Sequence, residues 1–598
     1  MVFTATAAGI LLTAAAPLAV MGAVGALVAA ASGAGGHGQG VADRHGAQLW
    51  ALAAGATLFL QWTVTAVRSA AATAMGDRID ARLQRDLMAA AMAPQGIGHL
   101  EDPGTLDLLN VGRGTFRSSW GRPGRLASTL SGLITAWLVV IGAVVTLAGV
   151  ALPVAVAVAA TGCWVVREER VASRTEAAHH YGSTESSRRL EYLYELGATP
   201  PAAKEIRVFG LSGFVLDAFY ATWRTTMSSV LRPLPRRPTL ATAFLGAAVL
   251  GSLGWIAARA AAGGLSAGET AICIQALMLV LVGIQQSAWT GLQTELAFAT
   301  LRRFDEARAA VEPAEAGGSA DPRMDLAVPR REIRFEGVAF AYPGAETDSL
   351  AQLDLVIPAG RSLAIVGANG AGKSTAVKLL CKLYEPTSGR ITVDGVDLAE
   401  AAPEAWRRQI AAVFQDSTRF AFPARANIGF GWTEAGHDQA GMAAAAADAE
   451  ILADLDSPAG GWDRMLSSEY ADGVDLSGGQ WQKLALARAL FAVRHGAGVL
   501  ILDEPAAHLD ARAEARLHER FIELTEGLTT VVISHRFSTV RRASTIAVLD
   551  SGRVVEQGTH EELVSRGGVY AHMFELQAAR FAEPEAPEDL APEMAGER

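Results

Sequence analysis

Apolar and polar positions along this 598-residue chain follow two regimes. In the first, apolar runs are long and unbroken by charge. No residue from Met1 to Ala42 is charged, and Ala5 to Ala31 is apolar enough for one membrane-spanning helix. A cleaved signal peptide is the rival reading, but the basic leading region is missing and the run exceeds the usual apolar stretch of about 15 residues. A second uncharged run lies between Arg44 and Arg68, long enough for a hydrocarbon core of about 30 Å, which takes about 20 helical residues. Leu126 to Val166 holds 41 residues without Lys, Arg, Asp or Glu and fits two spans turning near Pro153. Pro238 to Ala258 and Thr270 to Thr294 bring the expected number of spans to six, with Arg259 and Glu269 flanking the Gly263-Gly264 connection.

Two of these spans are expected to continue past the bilayer, because Asp77 to Met92 and Arg167 to Leu196 carry polar residues at helical spacing. Each continuation is interrupted by a turn-prone piece, one at about 98–110 around Leu100-Glu101-Asp102-Pro103 and one at about 199–210 beginning at Thr199-Pro200-Pro201. Both pieces are read as elbows that touch the soluble half. Polar residues within the spans are few, namely Gln61, Thr63, Thr65, Gln275, Gln285 and Gln286, and such groups tend to face away from lipid.

The second regime starts after residues 312–330, a Pro-, Gly- and Ala-rich linker. Apolar runs there are short and bounded by turns. Arg331 to Val338 and Leu353 to Val366 are expected strands, while Val499 to Leu502 and Thr530 to Ile533 are continuous apolar runs of the kind that suits fully buried parallel strands. Residues 581–598 are acidic and proline-bearing and read as disordered.

Charge sharpens this division. Residues 1–311 carry 24 Lys+Arg against 19 Asp+Glu, whereas the remainder carries 27 against 43. A basic, apolar half is joined to an acidic one, and no basic face points to nucleic acid. Lys and Arg between spans favour the cytoplasm. Segment 73–127 holds seven arginines and segment 167–237 eleven Lys+Arg, against one, none and one near 43, 153 and 263. Both termini are therefore expected to be cytoplasmic, in a multi-pass protein of the cell membrane. Cys163, Cys273 and Cys381 have no metal-ligand spacing and read as small buried hydrophobes.

The candidate chemistry lies in the second half. Gly367-Ala368-Asn369-Gly370-Ala371-Gly372-Lys373-Ser374 follows an apolar strand and precedes a helix that starts Thr375-Ala376-Val377. That order lets backbone N–H groups and a helix N-terminus cradle phosphates, with Lys373 on the β- and γ-phosphates and Ser374 on Mg²⁺. Asp503 and Glu504 end an apolar strand, where Asp503 would hold the Mg²⁺ shell and Glu504 would polarise an attacking water. Ser534-His535 ends another strand. Leu476-Ser477-Gly478-Gly479-Gln480 opens a further helix and makes a second anion site.

With that last motif the sequence resembles the ATP-binding cassette (ABC) transporters over about 331–580, and residues 1–311 look like the exporter-type membrane domain of the same family. The resemblance implies an all-α six-helix transmembrane domain followed by an α/β P-loop NTPase (ABC ATPase) domain with a helical subdomain. It implies ATP and Mg²⁺ as cofactors and stacks Tyr342 on adenine. It places Gln415 on Mg²⁺ and the water, Asp510 in the loop that crosses a dimer, and His535 on the γ-phosphate. It also implies that Ser477 and Gly479 of one cassette cap the ATP of another, so that the chain works as a half-transporter with a second copy of itself or a related chain. Ala506 and Ala507 depart from the pattern, standing where a small hydroxyl residue is common.

The implied activity is ATP-driven export of an amphipathic or apolar peptide, lipid or drug-like molecule. Uptake of a metal chelate, and a regulator or channel on the same scaffold, are the alternatives. Because Met1 stands almost at the first membrane residue, no leader-cleaving peptidase domain is expected ahead of it.

Overall fold

The computed structural model describes residues 2–33, 42–109, 121–182, 184–230, 236–311, 328–456, 461–505 and 526–582. The chain divides into two compact units, one of residues 1–93 and 103–312, the other of residues 94–102 and 313–598. The greater part of the expected linker, Asp510 and nearly all of the acidic tail lie outside the described residues.

The first unit is helical. Its elements are α1 (Val2–Gly33), α2 (Ala42–Met92), α3 (Leu126–Gly182), α4 (Thr184–Ala198), α5 (Pro200–Val208), α6 (Ser212–Val230), α7 (Arg236–Ala261) and α8 (Ala267–Val311). Five helical segments among the described residues are long and apolar enough to cross a membrane. One of them, within α3, is two spans. Ala151 has non-helical backbone angles (φ −143°, ψ 67°), and α8 touches α3 on both sides of it. A Cβ on Gly283 would clash with Val140, while one on Gly162 would lie 2.6 Å from Ile284 Cδ1. In a straight helix Val140 and Gly162 would be about 33 Å apart, yet they meet neighbouring residues of α8. The chain therefore folds back at Ala151, two residues before Pro153, and six spans result.

Small residues set how closely these helices pack. A Cβ on Gly25 of α1 would lie 2.5 Å from Ile272, and one on Gly268 of α8 would lie 2.8 Å from Gly25 O. Glycine thus lets α1 and α8 approach where lipid supplies no hydrophobic drive. At the start of α3, Gly124 N donates to Asp80 Oδ1 of α2 at 2.6 Å, and a Cβ on Gly76 would meet Gly124 O. Asp77 to Met92 is helical as expected, since α2 runs unbroken to Met92. Along the continuation of span four, Arg167 to Gly182 and Thr184 to Leu196 are helical, and residue 183 lies outside the described ones. The piece near 200 is the helix α5, with proline in its first turn, where a missing N–H costs nothing, and none of its residues is buried.

The second unit combines two sheets. Strands β1 (Glu332–Phe340), β2 (Leu350–Pro358), β4 (Ser388–Val393) and β5 (Val396–Asp397) pair antiparallel in the order β2-β1-β4-β5. Strands β3 (Ser362–Gly367), β6 (Ile410–Val413), β7 (Val499–Asp503), β8 (Thr529–Ile533), β9 (Thr545–Asp550) and β10 (Arg553–Gly558) form the other sheet, ordered β10-β9-β3-β8-β7-β6. The single strand expected over Leu353 to Val366 is instead the end of β2 and most of β3. Gly360, at φ 67°, turns the chain between them. One core joins the two sheets around Trp406, which is fully buried and donates through Nε1 to Leu380 O at 2.7 Å. A second core, with Met442, Ile451, Leu484 and Phe491, makes the helical subdomain around α10 (Gln439–Asp448) and α11 (Gly478–Arg494).

Residues 94–102 belong to this unit by their contacts. Ile97 N donates to Leu383 O at 3.1 Å, Arg407 Nη2 donates to Gln95 O, and Tyr384 Oη donates to Glu101. The docked piece starts at Pro94 and ends at Asp102, a few residues earlier than the elbow expected at 98–110, whose last residue lies outside the described ones.

Candidate functional site

Four neighbouring strands, in the order β3-β8-β7-β6, run parallel. Parallel strands present their carboxyl ends at one edge, and ligands of such sheets bind there. The glycine-rich loop follows β3, His535 follows β8, Asp503 and Glu504 end and follow β7, and Gln415 follows β6. Residues more than 160 positions apart in sequence thus share one edge.

The loop between β3 and α9 (Lys373–Leu380) has the shape that its glycines require. Gly372 sits at the helix N-cap with φ 97°, and a Cβ there would lie 2.7 Å from Ser349 O. No side chain caps α9, which leaves its first N–H groups for an anion. Lys373, almost fully buried, donates to Gly367 O at 2.9 Å and Ala368 O at 2.8 Å. Burial pulls its ammonium below the ordinary range, while Glu504 and Asp503 act against that shift. Tyr342 Oη is 3.2 Å from Thr375 Oγ1, which fixes the ring beside the loop.

Asp503 is buried and accepts from the Ser374 hydroxyl; burial pushes its carboxyl up despite that bond. Its Oδ1 has no hydrogen-bond partner among the described residues. An orphaned buried carboxylate oxygen beside a hydroxyl fits a hard divalent cation such as Mg²⁺.

Glu504 stands in the left-handed region (φ 51°), a conformation uncommon outside glycine and often found at functional sites. Its N–H donates to Ile533 O at 2.9 Å, which ties the turn to β8. Its carboxylate is gripped from two sides: Oε1 lies 2.7 Å from His535 Nε2, and Oε2 accepts from Gln415 Nε2 at 3.3 Å. Glu504, His535 and Gln415 are thereby brought together as one cluster, with Lys373 and Asp503 close enough to shift each other's titration.

Ser477 is the N-cap of α11 in a capping box: Gln480 N donates to Ser477 Oγ at 3.3 Å and Ser477 N donates to Gln480 Oε1 at 2.9 Å. Gln480 also donates to Asp454 Oδ1 at 2.9 Å. Its side chain braces the loop, leaving the hydroxyl of Ser477 and the N–H groups of Gly478 and Gly479 at the helix start.

Two functional residues escape the sequence reading. Gln482 of α11 donates to Glu504 O at 3.1 Å, linking the signature helix to the acid turn. Gln577, in α12 (Val569–Ala582), donates to His535 O at 3.0 Å and accepts from Phe537 N at 3.2 Å, so it clamps the histidine loop. Gln482 stands two residues beyond the Leu476–Gln480 motif and Gln577 in none, and the fold brings both to the site.

Residues 350–507 match the family model of the ABC transporter domain. Those residues thus form an ABC transporter domain. An ATP-dependent lipid A-core flippase of Burkholderia orbicola is 34% identical over 403 residues, 65% of this chain and 63% of that protein. Another of Chromobacterium violaceum is 36% identical over 331 residues, 55% and 53% of the two chains. The match therefore spans less than two thirds of the length of these curated relatives. The solved structure of a bacterial Atm1-family ABC exporter with ATP bound matches with a TM-score of 0.69 over 97% of this chain and 99% of that one, at 22% identity. The fold is thus that of an ABC exporter, a six-helix membrane unit followed by one nucleotide-binding cassette.

Proposed function

We propose that this ABC transporter hydrolyses ATP to drive export of an amphipathic or apolar substrate, working as a dimer by alternating access. The observation that carries the reading is the Glu504 carboxylate, held between His535 and Gln415 at the edge that also bears the phosphate loop. A carboxylate so oriented suits a water-polarising base. Lys373 and the N–H groups of the loop supply the fixed positive field on which phosphoryl transfer mostly depends. Ser374, Asp503 and Gln415 would hold Mg²⁺, which would supply further positive charge to the site.

Within one chain, Ser477 and the glycines after it cap no site of their own in this reading. They close the ATP site of a second copy or of a related half-transporter, and Asp510 belongs to that crossing. The loop charges put the cassette in the cytoplasm. Relatives named as flippases support movement of a lipid-type molecule.

Inside-out vesicles containing the purified chain test this. ATP-dependent accumulation of a lipid or amphiphile in them, absent with Glu504→Gln, is the expected result. Hydrolysis without accumulation of any substrate would favour a regulator, and a chain that stays monomeric in bilayers with ATP and Mg²⁺ would overturn the dimer.

A further inference from the structure

A cavity of about 700 Å³ lies in the membrane unit between the second arm of α3 and α8. The volume is in the range of small-molecule pockets, about 300–1,000 Å³. Glu169 and Ser173 line it from α3, and Gln285, Gln286, Trp289 and Leu292 from α8. The α8 residues recur at helical spacing and so form one face. That face is open: Trp289 is 53% exposed, whereas Ser287 and Thr290 between its members are buried.

The cavity has a sign. Glu169 Oε2 is shut off from solvent and has no hydrogen-bond partner among the described residues. A carboxyl in that state is costly within a membrane unit unless something pairs with it. Among the described residues no Lys or Arg lines the cavity. Arg174, next to Ser173, is already paired with Glu295 of α8 at 3.0 Å. A polyanionic headgroup would find one carboxylate here and no cation.

We propose that this cavity binds a cationic amphiphile. The ligand's positive group pairs with Glu169 and lies near the indole face of Trp289, where a cation gains further attraction. Its apolar body covers Leu292, and Gln285 and Gln286 take its hydrogen-bonding groups. Glu169 follows Arg167, where span four passes into its polar continuation, so loading is from the cassette's side of the bilayer. The inference rests on the transport reading and names its substrate class.

Tetraphenylphosphonium and tetraphenylborate have nearly the same shape and opposite charge, and they form the test. Equilibrium binding of each to the full-length protein in phosphatidylcholine nanodiscs, without nucleotide, is compared. Tetraphenylphosphonium is expected to bind saturably and at least about tenfold more tightly than the borate, since each pairing of about 1.4 kcal/mol is tenfold. Glu169→Gln is expected to remove most of that preference, Glu169→Asp to keep part of it, and Trp289→Ala to weaken the cation. Equal binding of the two ions to the wild-type protein overturns the proposal without any variant, as does unchanged cation binding in Glu169→Gln. ATP-driven accumulation of some other substrate with no phosphonium binding sinks this proposal and leaves the transport reading standing. Glu169-dependent binding supports the site even where ATP drives no accumulation, and in that case it is the transport reading that fails.

Discussion

His535 Nε2 lies 2.7 Å from Glu504 Oε1, and the opposite oxygen of the same carboxylate accepts from Gln415 at 3.3 Å. Both oxygens of the acid are thus held. Glu504→Gln keeps the shape and removes the basicity. It is expected to bind ATP as the wild type does and to turn over at least about 100-fold more slowly, the lower end for a general base. Single-turnover hydrolysis beside equilibrium nucleotide binding measures both; wild-type turnover would refute the role.

Orientation of that acid should be separable from its chemistry. His535→Ala is expected to lower kcat by about 10–100-fold, as loss of an orienting partner commonly does, with ATP affinity nearly unchanged. Gln577→Ala releases the loop rather than the ring, and a smaller loss in the same direction is expected. A Gln577 effect larger than that of His535 would show that the clamp serves the fold and not the site.

The contact of Glu101 with the cassette is also testable. Tyr384 Oη donates to Glu101, Lys378 Nζ lies 3.5 Å from Glu101, and the same ammonium lies 5.0 Å from the Tyr342 ring. Burial, with Glu101 beside it, pushes the Tyr384 phenol well above its ordinary range, so the phenol stays a donor. Glu101→Ala is expected to speed hydrogen exchange of the Ile97 amide, bonded to Leu383 O, by roughly tenfold, the effect of about 1.4 kcal/mol on a local opening. Unchanged exchange there would mean that Glu101 does not secure residues 94–102.

Cys381 lies in the main cassette core, and burial pushes its thiol up to about 12. The thiolate is the reactive form. At pH 8 the folded cassette should leave Cys381 unlabelled by iodoacetamide, while denaturant exposes it. Because the folded value is raised, the neutral thiol's contribution to stability is complete below the unfolded value of about 8.5 and is lost as pH rises from there to about 12. Mass-spectrometric mapping of alkylation, with unfolding midpoints at pH 8 and pH 10, checks both statements.

Gly124 sits where α2 and α3 touch backbone to backbone, with its N–H on Asp80 at 2.6 Å. Gly124→Val must push that contact apart. A loss of about 1–3 kcal/mol, typical of overpacking, is expected, read as a lower unfolding temperature in detergent. A Gly124→Val protein as stable as the wild type would show that the crossing relaxes freely.

Much of this was legible before any coordinates. The charge-free stretch from Leu126 to Val166 is too long for one span, and the structure breaks it at Ala151. The motifs around Lys373, Asp503 and Ser477 fall at a loop, a strand end and a helix start because glycine φ requirements, burial and capping are local properties. Elsewhere local pattern carries no signal. Gly360 turns the chain inside what looks like one apolar strand. Gln482 and Gln577 reach the site only because the fold brings α11 and α12 to it, and the left-handed backbone of Glu504 belongs to a tertiary turn held by Ile533.

The reversal at Ala151 has a consequence for how the protein is made. Its two arms are joined without a charged residue or a soluble loop, so neither can pause at the interface with its neighbour still in water. In hydrocarbon the backbone groups freed by the turn need partners within protein. The arms therefore enter the bilayer as a pair.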